Sequence, residues 1–177
     1  MSVAGADDDP VIALVVAMGE DGGIGKDGDL PWREQRTDLR HFRRVTLGKP
    51  VIMGRRTFAS LGRVLDKRLN IVLSRDTELI IPGAIVAGSL SAALESATRA
   101  AREVSIGEIA VIGGEDVFRE TLPLARRIHL TEIHAAPPAD VFFPSLDREE
   151  WREVSRERHE TGPRDEHPFS FVLLERR

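Results

Sequence analysis

The chain has 177 residues, of which 41% are hydrophobic, and this length and composition suit one globular domain. A formal net charge of −4 gives no overall attraction to nucleic acid or an anionic membrane, and no apolar run approaches the ~20 residues of a membrane span. The absence of cysteine excludes disulfides, thiolate metal sites and cysteine nucleophiles, and the histidines show no spacing typical of metal ligands.

In chain order, the pattern of polar and apolar residues predicts one sheet covered by helices. Residues 1–10 are acidic and lack an apolar signal segment, so we expect a disordered leader on a cytoplasmic protein, with one domain at 11–177. Apolar runs predict strands at 11–18, 50–53, 70–74, 85–87, 108–112, 127–134, 151–158 and 169–175. Helical spacing predicts helices at 37–47, 54–61, 91–103 and one that opens with Gly113-Gly114. This alternation implies a mainly parallel sheet with helices on both faces, ending in an antiparallel pair of strands.

Two finer expectations concern the segment before the first helix and the inward faces of the first two helices. Residues 19–31 are rich in glycine and lack apolar periodicity, which predicts a long loop. The positions expected to face inward are Leu39, Phe42 and Thr46 on the first helix, and Phe58 and Leu61 on the second.

Short motifs accompany these elements in a characteristic order. They are Gly25-Lys26-Asp27-Gly28-Asp29-Leu30-Pro31-Trp32, Lys49-Pro50-Val51-Ile52-Met53-Gly54-Arg55-Arg56-Thr57, Arg68-Leu69-Asn70-Ile71-Val72-Leu73-Ser74, Val111-Ile112-Gly113-Gly114, Leu130-Thr131 and Asp140-Val141-Phe142-Phe143-Pro144. In this order and spacing, from residue 11 to the end, the sequence resembles the dihydrofolate reductase family. The resemblance implies a single-domain, three-layer α/β sandwich with a mostly parallel eight-stranded sheet and a C-terminal antiparallel hairpin. It also implies a monomeric enzyme that reduces dihydrofolate with NADPH and binds antifolates.

Asp38 is the acidic residue that carries most of the functional prediction. Its place in the first turn of a helix also suits an ordinary helix-start aspartate, which the helix dipole stabilises. A buried carboxylate could instead accept two parallel hydrogen bonds from the amino-pyrimidine edge of a pterin. The resemblance favours this second interpretation. It implies that Trp32 holds a water near the pterin, that Leu30 lies against the reacting rings, and that the Thr131 hydroxyl bonds Asp38 or the pterin.

The other substrate contacts implied by the resemblance are apolar walls and arginines. Arg68 is expected to bind the α-carboxylate of the substrate's glutamate tail, with Arg63 assisting from nearby. The apolar positions, whose roles overlap with ordinary core packing, are Val15, Val16, Phe42, Leu61, Leu65 and Ile112.

Two turns are predicted to hold the cofactor NADPH. Gly113-Gly114 lets the backbone approach a pyrophosphate at a helix start, although it is not the G-x-G-x-x-G fingerprint of Rossmann dehydrogenases. Arg55, Arg56 and Arg75 suit the 2′-phosphate that distinguishes NADPH from NADH, while a solvated basic turn is the plain alternative. The side chains of Glu115 and Asp116 must point away from the phosphates. The full set of expected cofactor contacts is Ala17, Ile24, Gly25, Gly28, Asp29, Gly54, Arg55, Arg56, Thr57, Ser74, Arg75, Gly88, Ile112, Gly113, Gly114, Glu115, Asp116, Val117 and Phe118.

The segment 24–30 is expected to close over the nicotinamide and exclude water, with Asp140 hydrogen-bonded to the closed lid. The sequence departs from the family pattern by one extra residue before Asp38 and by Asp66-Lys67 in place of Pro-Gly before Arg68. Two alternatives remain open. One is an NADPH-dependent reductase of the riboflavin pathway, which shares the fold but needs neither Leu-Pro-Trp nor Arg68. The other is a non-catalytic nucleotide-binding protein.

Overall fold

An eight-stranded sheet forms the centre of the protein in a computed structural model that describes residues 9–177. The strands are β1 (Val11–Met18), β2 (Gly23–Gly25), β3 (Pro50–Gly54), β4 (Leu69–Leu73), β5 (Ala84–Ala87), β6 (Glu108–Gly113), β7 (Arg127–Ile133), β8 (Val141–Phe142), β9 (Trp151–His159) and β10 (Phe169–Arg176). Across the sheet the order is β5-β4-β3-β6-β1-β7-β10-β9, parallel from β5 to β7 and antiparallel from β7 to β9. The strands β2 and β8 form a separate antiparallel ribbon.

Helices cover both faces of the sheet, because alternate residues of each strand point to opposite faces. The helices are α1 (Arg36–Thr46), α2 (Arg55–Leu61), α3 (Leu90–Glu103) and α4 (Glu115–Thr121), the last continuing into a 3₁₀ turn at Leu122–Leu124. On one face, Phe42 of α1 and Phe58 of α2 pack with Val15 of β1. On the other, Ala97 of α3 packs with Leu14 of β1. Burial on both faces explains why β1 is apolar along nearly its whole length.

The structure confirms the predicted α/β fold, the mostly parallel sheet and the C-terminal antiparallel hairpin. The expected leader lies outside the described residues except for Asp9 and Pro10. No described helix combines the length and apolarity that crossing a membrane requires. The predicted loop at 19–31 is partly wrong, since its residues Gly23–Gly25 pair with β8.

Two inward-facing predictions are also wrong. Leu39 is 57% exposed, because α1 turns Asp38 rather than Leu39 toward the sheet. Leu61 is 37% exposed at the last residue of α2. The apolar spacing in each helix is compatible with more than one orientation of the helix about its axis, and packing against the sheet selects the orientation.

Candidate active site

The carboxyl ends of the parallel strands bring the predicted site residues to one edge of the sheet. Ala17 near the end of β1 is in register with Thr131 of β7. Met53 of β3 is in register with Gly113 at the end of β6. In α/β proteins, ligands bind in the crevice outside this edge. Residues separated by more than a hundred positions in the chain, such as Ala17 and Thr131, therefore meet at the same strand ends.

Asp38 and Thr131 meet at this edge as a buried pair. Asp38 is 8% exposed, and its Oδ1 accepts a hydrogen bond of 2.7 Å from the Thr131 hydroxyl; Asp38 is one of the two partners that the family resemblance implied for Thr131. Burial raises the pKa of Asp38 to about 6; the Thr131 hydrogen bond opposes the rise and the like charge of Asp165 adds to it. Within the described residues, Asp38 Oδ2 receives no hydrogen bond. The carboxyl therefore keeps acceptor capacity for a ligand.

Trp32 presents a second buried polar group. It packs in one apolar cluster with Ile133 and Phe169, and Ala17 lies against that cluster. Its indole Nε1 is buried and has no hydrogen-bond partner in the part of the chain that the structure describes. A buried donor of this kind needs a partner, which a water or a ligand can provide.

The predicted apolar walls fall into two groups. Val15, Phe42, Leu65 and Ile112 belong to the cluster beneath α1 and α2, on the same face of the sheet as α1. Val16 lies in the core on the opposite face, so only its backbone can contribute to the crevice. Leu61 is exposed, and so is Leu30. Leu39, which was expected to face inward, joins Leu30 and Trp32 around a cavity of ≈ 310 Å³ beside the start of α1.

Hydrogen bonds to neighbouring residues hold the Arg68 side chain in place. Its side chain is 3% exposed, its Nη1 donates to Thr46 Oγ1 at 3.0 Å, and its Nε donates to the Asp66 carbonyl at 2.8 Å. Asp66 also accepts hydrogen bonds from Arg43 at 2.7 and 3.0 Å. Lys67 takes φ of 57°, the left-handed conformation that glycine adopts readily, so the Asp66-Lys67 replacement preserves a glycine-like turn. Arg63, the proposed assistant, is exposed.

The glycine turns at the ends of β3 and β6 lie against each other. A side chain on Gly113, which has φ of 127°, would meet Phe118 and Thr57 at 3.4 Å. A side chain on Gly114 would meet the Thr57 hydroxyl at 3.3 Å. A Cβ on Gly54 would meet Val117 at 3.4 Å. The two turns are thus packed closely enough that a side chain at any of these three glycines would crowd its neighbours, and Gly114 directly precedes α4, where backbone N–H groups can bind a phosphate.

Charged groups lie around these turns. Arg55, Arg56 and Arg75 are exposed, and Arg55 lies 3.8 Å from Asp76. Arg119 pairs with Glu115 at 2.7 Å and with Asp116 at 2.9 Å, which turns both carboxylates along the helix surface. Val117 and Phe118 are buried against the sheet, so their side chains belong to the core. The remaining predicted positions at this edge are Ser74, whose N–H donates to the Ala87 carbonyl at 3.0 Å, and exposed Gly88.

The segment 24–30 is tied to the loop after β7. The Asp27 N–H donates to Asp140 Oδ2 at 3.0 Å, and the Asp140 N–H donates to the Gly25 carbonyl at 2.9 Å. Ile24 packs against the core, while Gly28 and Asp29 are exposed at the tip. The lid is therefore anchored to this loop through Gly25 and Asp27, while its second half is exposed.

Sequence reasoning missed the loop 160–168, which contacts the start of α1. Asp165 accepts hydrogen bonds from the backbone and hydroxyl of Thr37, and Gln35 is paired with His167. The local sequence gives no sign of these contacts, because they join residues about 130 positions apart. Among the described residues, no cluster of three or more histidine, aspartate or glutamate side chains could hold a metal ion.

Comparisons with known proteins identify the family of this chain. The family model described as dihydrofolate reductase matches residues 11–176. Dihydrofolate reductase type 3 of Salmonella typhimurium is 42% identical over 166 residues, 94% of this chain and 98% of that protein. Dihydrofolate reductase of Haemophilus influenzae is 41% identical over 165 residues, 93% of this chain and 98% of that protein.

A solved structure shows the same architecture. Dihydrofolate reductase from Enterococcus faecalis, complexed with NADP(H) and RAB-propyl, superposes with a TM-score of 0.85 at 29% identity, covering 94% of this chain and 96% of that one. The family match runs from β1 to β10, and the relatives align over almost their whole length. This chain belongs to the dihydrofolate reductase family.

Proposed function

We propose that this protein reduces 7,8-dihydrofolate to 5,6,7,8-tetrahydrofolate with NADPH, so that a hydride adds to C6 and a proton adds to N5. The single observation that carries the proposal is the buried Asp38 carboxyl, which is hydrogen-bonded to Thr131 at the carboxyl edge of the sheet. The riboflavin-pathway reductase and the non-catalytic protein are not favoured, because the family model and the relatives are all dihydrofolate reductases.

Asp38 is the electrostatic and proton-directing residue of this proposal. Its free oxygen can accept from the amino edge of the pterin, while Thr131 fixes the other oxygen. An anion at this position stabilises the protonated, electron-poor ring as it forms, and the low-polarity surroundings strengthen that effect. A pKa of about 6 leaves the group mostly ionised at neutral pH yet able to accept a proton.

Trp32 and the lid would control the access of water to the pterin ring. The buried Nε1 of Trp32 can donate to one ordered water, through which a proton can reach N5. Leu30 is exposed at the end of the lid, where closure would bring it against the reacting rings and exclude bulk solvent. The Trp32 N–H would thus hold one ordered water near the ring, and Leu30 would exclude bulk water.

The residues at the glycine turns fit NADPH. The backbone at Gly54, Gly113 and Gly114 would hold the pyrophosphate, since a Cβ there would enter the space between the turns. The exposed guanidinium groups of Arg55 and Arg56 would bind the 2′-phosphate by charge-assisted hydrogen bonds. When bound, NADPH supplies the hydride.

Arg68 would bind the substrate's glutamate carboxylate. Its contacts with Thr46 and Asp66 fix the plane of the guanidinium, so little side-chain entropy remains to be lost on binding. We further propose that residues 11–177 act as one domain, that the enzyme is a cytoplasmic monomer, and that antifolates bind the same crevice.

The test of this proposal is the loss of NADPH absorbance with and without dihydrofolate. The unmodified protein is expected to oxidise NADPH only when dihydrofolate is present. Asp38→Asn keeps the Thr131 hydrogen bond but removes the charge, and turnover at neutral pH should fall by about 100-fold or more. Near-normal turnover by a correctly folded variant would refute the role of Asp38, and absence of dihydrofolate-dependent oxidation by the unmodified protein would refute the function.

A further inference from the structure

The loop between β9 and β10, residues 160–168, lies along the turn that leads into α1, and we call it the strap. The Glu166 N–H donates to the Glu34 carbonyl at 2.8 Å. Gln35, which is 3% exposed, donates from Nε2 to the His167 carbonyl at 2.8 Å and accepts from the His167 N–H at 3.2 Å. These paired contacts fasten the strap to the two residues just before the helix.

Asp165 of the strap performs the task that a local N-cap residue usually performs. The helix begins at Arg36, and the preceding Gln35 makes no side-chain cap. Instead, Asp165 Oδ1 accepts from the Thr37 N–H at 2.9 Å, and Oδ2 accepts from the Thr37 hydroxyl at 2.7 Å. The Gly162 N–H donates to Oδ2 at 3.2 Å and holds the carboxylate in place. Since the first N–H groups of a helix lack partners within it, a carboxylate from elsewhere in the chain fixes this helix start.

The residue that follows Thr37 is Asp38, so the cap and the candidate catalytic carboxyl share one helical turn. Thr131 holds Asp38 from the sheet at 2.7 Å, while Asp165 holds the backbone one residue earlier. We propose that Asp165 is a positioning residue, which from the strap fixes both the placement and the electrostatic surroundings of Asp38. This inference rests on the proposed function only for its kinetic consequence.

The charged surroundings of Asp38 give the proposal a distinctive signature. Burial raises the pKa of Asp38, the Thr131 hydroxyl lowers it, and the charge of Asp165 raises it further. Asp165 remains ionised because hydrogen bonds from Thr37 outweigh its own burial and hold its pKa below the ordinary range; Arg40 acts in the same direction. His41, three residues further along α1, is neutral at neutral pH, because burial lowers its pKa to about 4. Removing Asp165 should therefore lower the pKa of Asp38.

The experiment compares Asp165→Ala, Asp165→Asn and the control Glu160→Gln. Glu160 is an exposed carboxylate of the same strap, paired with Arg158 at 3.1 Å, so its substitution removes one charge without touching α1. Two measurements are made on each full-length variant: kcat and KM for both substrates, and the titration of the Asp38 carboxyl by NMR of ¹³C-labelled aspartate. Asp38→Asn identifies the resonance.

Asp165→Ala is expected to lower kcat by about 10- to 100-fold, the range for a displaced catalytic group, with KM for NADPH unchanged. Its Asp38 titration should move below the midpoint of about 6 expected for the unmodified protein. Asp165→Asn should recover part of kcat, since its amide oxygen still accepts the Thr37 N–H while its amide nitrogen cannot accept from the Gly162 N–H. Its Asp38 titration should stay displaced downward. Glu160→Gln should change neither quantity.

A purely structural role would give another pattern. If either Asp165 variant leaves the Asp38 titration where it was, the inference is wrong, even if thermal stability falls. Should Asp165→Ala fail to fold, Asp165→Asn supplies both measurements. Should the unmodified protein fail to reduce dihydrofolate, the proposed function falls, while the carboxyl titration still decides whether the strap governs Asp38.

Discussion

The buried Asp38 carboxyl should reduce the stability of the protein at neutral pH, so that Asp38→Asn is expected to yield a more stable, inactive protein. The unfolded chain exposes this carboxyl to water, whereas the folded chain holds it 8% exposed with a single hydroxyl donor. Because its folded pKa is raised, the folded state binds the proton more tightly than the unfolded state. Ionisation therefore opposes folding.

The size of the effect follows from the shift in pKa from 3.8 to about 6. At about 1.36 kcal/mol for each tenfold change in proton affinity, ionised Asp38 destabilises the fold by about 3 kcal/mol. Because folding raises the pKa of Asp38, the destabilisation depends on pH. It is small at pH 4, grows as pH rises toward 6, and is almost complete at pH 7. Asparagine is neutral throughout, and its amide oxygen can still accept the Thr131 hydroxyl.

Urea unfolding followed by tryptophan fluorescence at pH 4, 5.5 and 7 measures this window. The stability advantage of Asp38→Asn should grow from less than about 1 kcal/mol at pH 4 to about 3 kcal/mol at pH 7. The latter corresponds to a rise of about 6–12 °C in Tm for a chain of this size. Other titrating groups are common to both proteins and cancel in the difference. Glu160→Gln, which removes an exposed carboxylate, serves as the matched control.

One outcome would contradict the reasoning directly. A stability difference that is the same at pH 4 and pH 7 would mean that Asp38 ionises as readily in the folded protein as in water. The carboxyl would then not be the desolvated group on which the proposed mechanism depends.

Two further predictions concern the cofactor edge and the opposite edge of the sheet. Replacing Arg55 and Arg56 together by serine should weaken NADPH binding by about 1.5–3 kcal/mol per lost charge-assisted bond and leave NADH binding nearly unchanged. If a fluorescence titration shows equal losses of affinity for both cofactors, these arginines do not bind the 2′-phosphate. Burial opposes ionisation of Glu108, but hydrogen bonds from His129 and Lys49 hold its pKa well below its usual range. Ionised Glu108 therefore stabilises the folded protein above pH 4.5, and this stabilisation is lost as pH falls further. Glu108→Gln should therefore destabilise the protein by about 3–5 kcal/mol at pH 7 and by less at pH 3. Urea midpoints that fall equally at both pH values would contradict this account.

The strands were predictable because their signal is local. A strand covered on both faces must be apolar along its length, and the run from Val11 to Met18 has that composition. The ribbon formed by β2 and β8 has no such signal. It pairs Gly23 with Phe142 through the backbone, and backbone hydrogen bonds between distant segments leave little mark on side-chain pattern.

The candidate site likewise contains some contacts that were predictable from sequence and others that were not. The Asp38–Thr131 contact was predictable once the family resemblance fixed which acid faces inward, since both residues lie in motifs that the resemblance covers. The inward placement of Leu39 was wrong, because Leu39 and Asp38 are adjacent on the helix and either could have faced the sheet. Asp165 could not be found from sequence, because its partner Thr37 lies 128 residues away and neither belongs to a recognisable motif.

Comparison of Asp38 with Glu108 explains why only one of these buried carboxyls suits catalysis. Both are 8% exposed and both contact the same sheet. Glu108 lies at the amino edge, where Lys49, Arg127 and His129 all contact its oxygens at 2.9 Å. Its charge is fully compensated, so it can only stabilise the fold. Asp38 lies at the carboxyl edge with one hydroxyl donor and a neighbouring negative charge, so its ionised form is compensated only when a cationic or hydrogen-bond-donating ligand arrives. The same burial therefore gives a structural ion pair at one edge and a ligand-binding group at the other, and the difference lies in the donors that each strand end supplies.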